Sequence, residues 1–133
     1  MTSDTPGRDA LSLYIEEQRR FGLEYGWHDC GSFLADWCEA VTGHHPWPEL
    51  RGAYSRNEDI QPFLGDHIVQ VVGRVARRNG FIKTREPRRG DVGAFATGKL
   101  ICLGICAGQS WLTKTQGIAV FKQVRVVGAW HIV

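Results

Sequence analysis

Asp29-Cys30-Gly31-Ser32 stands where a polar loop gives way to the apolar residues Phe33, Leu34, Trp37 and Val41. Their spacing is helical, Asp29 is a good N-cap and Gly43 a good stop, so a helix is expected from about Cys30 to Thr42. Cys30 then sits in the first turn, where free backbone N–H groups and the helix dipole favour an anion. The thiolate is the reactive form of cysteine, so the chemistry this position suits is nucleophilic attack. Such a thiol needs a base, normally histidine, and a third polar group to orient the base. Against this stands the plainer reading of a small apolar core residue, a common fate of a free cysteine.

The chain offers five histidines as that base. His28 lies two residues before Cys30, in the loop entering the helix, and is one candidate. His44 and His45 lie past the far end of the helix, ~20 Å away at 1.5 Å per residue. His67 opens a later helical stretch. His131, near the end of the last expected strand, is the best reserve, because terminal strands of small sheets often border a site.

The other cysteines give no close pair with zinc spacing. Cys102 and Cys106 are four apart in an expected strand, on one face and about 13 Å apart. Cys30 and Cys38 are eight apart on a helix, about 12 Å. Cys38 reads as core. No metal or other cofactor is expected.

These residues must be held by elements that the hydropathy pattern outlines. The chain has 133 residues, 43% hydrophobic and 23% charged, enough for one domain with a real core. Leu11, Tyr14, Ile15 and Gln18 form one helical stripe, stopped by Gly22. "HHPWPEL" should be a loop or one short turn. From Ile60 the pattern turns helical again, with Ile68, Val71, Val72 and Val75 in register and Asn79-Gly80 as a left-handed cap. After Gly80, short apolar runs alternate with turn signals: "DVGAFAT", "KLICLGICA", "SWLTK", "GIAVFK" and "VRVVGAWHIV". Such spacing leaves no room for crossover helices. The expectation is an α+β domain, a helical part over about 8–80 packed on one face of a mainly antiparallel sheet over about 81–133. Gly90, Gly104 and Gly108 fit turns and close backbone approach in a small curved sheet.

A net charge of +2 argues against nucleic acid, and "RVARRNG" and "REPRRGD" read as solvated surface. No run approaches the ~18 apolar residues of a membrane span. The polar start "MTSDTPGRDA" has no apolar core of a secretory signal, so reduced thiols are expected.

Asp29-Cys30-Gly31-Ser32, then Pro87-Arg88-Arg89-Gly90-Asp91-Val92, then Gly104-Ile105 resemble, in order and spacing, the motifs of the NlpC-type papain-like cell-wall peptidases. The resemblance implies a papain-like fold with Cys30 in the nucleophile's place. It also sets Cys102 where that family carries its histidine, and for the next strand's polar residue "GQSWLTKT" offers only Gln109, Ser110 and threonines. A narrower resemblance, through "DCGSFLADWCEAVTG", "RGDVGAF", "LGICAG" and "AWHI", is to small proteins encoded among phage and prophage tail genes. It implies other tail proteins as partners, and a place in the virion tail or in the host cytoplasm before assembly. Its motif positions are Asp29, Cys30, Gly104, Ile105, Cys106 and Gly108, and the two resemblances together make Asp29, Cys102, Gly104, Cys106 and Gln109 the candidate binding positions.

Three functions follow as expectations. The first is a structural or adaptor protein of a phage or prophage tail whose papain-like fold no longer hydrolyses. The second is an active cysteine peptidase or amidase cleaving peptidoglycan stem peptides, with Cys30 attacking and His131 or His28 as base. The third is a small-molecule or metal module using Cys30, Cys102 and a histidine, since the papain-like fold brings the helix start beside that strand.

Overall fold

The computed structural model describes residues 9–24, 28–50, 52 and 68–133. Among these residues, three helices precede a six-stranded antiparallel sheet, the expected α+β order. Helix α1 (Ala10–Gln18) starts where the Asp9 side chain accepts the Ser12 N–H at 3.0 Å, and it buries Leu11, Ile15 and Gln18. Helix α2 (Cys30–Thr42) starts in the same way, Asp29 accepting the Ser32 N–H at 2.8 Å, and ends on Gly43 at φ 85°. A left-handed residue there is tolerated best as glycine. One 3₁₀ turn, Pro48–Leu50, is all that "HHPWPEL" forms. Helix α3 (Ile68–Arg78) buries Val72 and Ala76 and closes through Asn79 and Gly80, the latter at φ 74°. His67 and the expected helical stretch before Ile68 lie outside the described residues.

The strands are β1 (Ile82–Thr84), β2 (Val92–Thr97), β3 (Leu100–Cys106), β4 (Trp111–Lys114), β5 (Ile118–Phe121) and β6 (Arg125–His131). Their order across the sheet is β1-β6-β2-β3-β4-β5. β2 to β5 form a meander of neighbours, whereas β6 returns across the sheet to pair with the free side of β2. β1, which the hydropathy pattern does not announce, joins at the β6 edge.

Alternation along the strands makes two faces. Val92, Ala94, Leu103, Ile105, Leu112 and Trp130 pack under the helices against Leu11, Phe33, Leu34, Trp37 and Val72. Phe95, Cys106, Trp111 and Ala129 form a second cluster on the other face, with Cys102, Phe121 and Val124 at its margin. That face is closed by curling of the sheet. A Cβ on Gly93 would stand 2.3 Å from the Gly128 carbonyl oxygen, and one on Gly104 2.2 Å from that of Leu112. No helix among the described residues is long and apolar enough to cross a membrane.

Candidate functional site

Cys30 opens α2 beside β3, and the helix then runs along the strand until the Trp37 indole donates to the Gly90 carbonyl at 2.8 Å. The thiol packs against the helix-side core. Burial pushes it up to about 11, and the Asp29 carboxylate adds to the rise. A backbone hydrogen bond at Leu103 opposes them, and a further increment upward comes from the Cys102 thiol. The helix N-terminus is therefore outweighed here: removing a thiolate from water costs more than a first-turn position returns.

Leu103, whose backbone hydrogen-bonds Cys30, follows Cys102, the position that the family resemblance gives to a histidine. The Cys102 side chain belongs to the second cluster, next to Phe95, its cross-strand partner. A thiol there raises the Cys30 pKa, whereas an imidazolium would lower it. Cys102 is itself raised by burial. Among the described residues no three histidine, cysteine or acidic side chains form a group able to hold a metal.

Neither candidate base meets Cys30. The His28 ring stacks on Phe21, centroids 4.2 Å apart and planes within 6°, while its backbone bridges to Glu24. The buried His28 Nδ1 has no hydrogen-bond partner. His131 turns to Asp91, its Nδ1 2.5 Å from Asp91 Oδ2. Asp91 stands level with Cys106 on β3, since the Cys106 N–H donates to the Asp91 carbonyl at 2.8 Å. Cys106 is three residues from Leu103 along the strand, ~10 Å. The Asp91–His131 pair therefore lies ~10 Å further along the strand than the Leu103 backbone that meets the Cys30 thiol.

The remaining positions have structural surroundings. Asp29 is buried as the α2 cap, and Cys106 is buried with its sulfur accepting the Gly108 N–H at 3.4 Å. Gly104 gives room to the Phe95 ring, whose Cε1 would stand 2.9 Å from an added Cβ. Gln109 is exposed on the β3–β4 turn, at the Cys106 end. Cys38 is fully buried, as its core reading required.

Two features escape the sequence. Asp91 counts there only as a motif residue, yet it is buried and its carboxylate also accepts the Arg88 N–H at 2.7 Å. Lys114, 3% exposed, sends its ammonium to the Gln18 and Phe21 carbonyls past the end of α1, and burial lowers its pKa. The family described as "Domain of unknown function (DUF6950)" matches residues 5–132. The chain belongs to the DUF6950 family. No curated protein matches it, and no solved structure does. The geometry around Cys30 is accordingly the ground on which a role for this DUF6950 chain must be argued. That geometry offers a packed thiol whose pKa burial raises, with no imidazole of His28 or His131 turned to it.

Proposed function

We propose that this chain is a binding protein that does not hydrolyse, built on a papain-like, NlpC-type fold and serving as a structural or adaptor component of a phage or prophage tail. One observation carries the first half: Cys30 is packed into the helix-side core, where burial pushes its thiol up to about 11, while His28 stacks on Phe21 and His131 turns to Asp91. Thiol hydrolysis near neutral pH needs a thiolate and an imidazole beside it, and this site supplies neither. The tail setting, with other tail proteins as partners, rests on the sequence resemblance.

The peptidase reading draws on one feature, the imidazole of His131 held by a carboxylate in the manner of a catalytic base. Its distance along the sheet from Cys30 leaves that base without this nucleophile. The test is the pH dependence of Cys30 alkylation, resolved by mass spectrometry from the other thiols. A midpoint near 11, or no reaction in the folded protein, supports the binding role. A midpoint at about 7 or below would mean an activated thiolate and overturn it. For the setting, affinity-tagged protein should enter purified tail particles at fixed stoichiometry; its absence from every particle fraction would remove the tail role.

A further inference from the structure

A cleft of about 560 Å³ lies between α3 and the β1–β6 edge, on the helix side of the sheet. Gly73, Arg74 and Arg77 of α3 line one wall, and Phe81 and Lys83 the other, with Trp130 in the floor. Its three cations converge from two elements, and no aspartate or glutamate is among the described lining residues. Among the described residues, no hydrogen bond or ion pair engages the side chains of Arg74, Arg77 or Lys83, in contrast to Arg78, which holds Glu49 at 2.8 Å.

Helix stability does not explain this placement. Arg77 in the last turn suits the helix dipole, but Arg74 one turn earlier repels it, and Lys83 comes from the facing strand. Two guanidinium forks on one helix face and an ammonium opposite them match the oxygens of a multiply charged anion. The floor is of another kind. Lys83 and Trp130 are cross-strand partners, so the indole lies beneath the cationic rim. The indole is core, 5% exposed, and only its edge reaches the cleft where Gly73 carries no side chain: a Cβ there would stand 3.5 Å from Trp130 Cζ2. A cleft of this volume is of small-ligand size.

We propose that this cleft binds a phosphorylated small molecule bearing a flat apolar group, of the size of a nucleoside di- or triphosphate. The phosphates lie between Arg74, Arg77 and Lys83, and the flat group rests on Phe81, over the edge of the Trp130 indole. This site is independent of the Cys30 end of the sheet.

Calorimetric titration of the full chain with ATP and with sodium tripolyphosphate, at low salt, tests it. The expected result is ATP binding tighter than ~1 mM and about tenfold tighter than tripolyphosphate. Arg77→Gln and Lys83→Gln should each weaken ATP about fivefold or more, with unchanged circular dichroism and melting, because both side chains are exposed and unpartnered. No heat with either probe at ~5 mM, or an ATP affinity indifferent to both substitutions, would overturn the site. Equal affinity for the two probes would overturn the flat-group half, leaving a site for free phosphate groups alone. Binding of a short DNA duplex more tightly than ATP, lost in the same variants, would overturn the small-ligand assignment in favour of a surface for nucleic acid.

Discussion

His131 on β6 and Asp91 just before β2 are forty residues apart in sequence and 2.5 Å apart between Nδ1 and Oδ2. The carboxylate is 5% exposed and the imidazole 20%, so the contact is largely shielded from water. Asp91 also accepts the Arg88 N–H and lends its backbone to Cys106, so one residue ties the loop before β2 to both neighbouring strands. Arg89 fastens the same loop to α1 through Asp9 and Ser12, and to Ala107 beyond β3.

A pair so placed should be a stability element. Asp91→Ala is expected to cost about 2–4 kcal/mol, because it strips a half-buried imidazole and a backbone N–H of a largely shielded carboxylate partner. His131→Ala should cost less, about 1–2 kcal/mol, since the Arg88 N–H still satisfies the carboxylate. Urea denaturation of the two single variants and the double variant should give a coupling of about 1 kcal/mol or more. Additive losses would mean that the contact contributes nothing to the fold.

The buried thiols predict alkaline sensitivity. Burial pushes Cys30 up to about 11 and Cys38 up to about 12, against about 8.5 for a free thiol. Below the free value both states keep their protons and the stabilising contribution is complete. Between there and the folded values the unfolded chain has lost protons that the folded chain retains, so stability falls as pH rises. The slope should reach up to about 1.4 kcal/mol per pH unit for each thiol. The urea midpoint should stay flat from pH 6 to about 8 and fall from about 9. Cys38→Ala should fall less steeply; an unchanged slope would show that Cys38 is not the group responsible.

What the sequence disclosed was local. Asp29 and Gly43 bound α2 because caps act within a few residues, and the strands of the β2–β5 meander were each announced by their own apolar runs. β1 was missed because three residues with one exposed isoleucine carry no pattern; its strand character comes from pairing with β6 far along the chain. The insertion of β6 between β1 and β2, and with it the Asp91–His131 contact, is nonlocal in the same way. At Cys30 the first-turn placement was legible, but its effect was reversed by packing that no spacing rule records. Lys114 reads as a polar strand end; only the path of the chain after α1 gives it carbonyls to serve while buried.

Asp9 should matter through its charge. The Arg89 guanidinium beside it holds its carboxyl well below the usual carboxylate range, and the Ser12 N–H adds to the effect. The two side chains are 40–50% exposed, so solvent screens the ion pair and its share is below about 1 kcal/mol. The lost N-cap adds about 1 kcal/mol, which puts Asp9→Ala at about 1–2 kcal/mol at pH 7. A depressed carboxylate contributes above the unfolded pKa and is lost as pH falls towards the folded one. The gap in melting temperature between wild type and variant should therefore narrow steadily from about pH 5 to pH 2. A gap that ignores pH would assign the whole effect to helix propensity.

The curl of the sheet sets the last expectation, through two glycines that differ in what surrounds them. At Gly104 an added Cβ would meet the Leu112 carbonyl oxygen at 2.2 Å, and backbone held by flanking strand pairs cannot step aside. Gly104→Ala should cost about 3 kcal/mol or more, or leave the protein unfolded. At Gly73, inside α3, the nearest atom would be Trp130 Cζ2 at 3.5 Å, an ordinary contact. Gly73→Ala should therefore stabilise the fold by about 0.5–1 kcal/mol, the gain in helix propensity. Thermal melting of both variants beside the wild type is sufficient. A Gly104→Ala protein that melts like wild type would mean that the Phe95 side of the sheet is open enough to take a side chain. The motif glycine before Ile105 would then need a role other than this close approach.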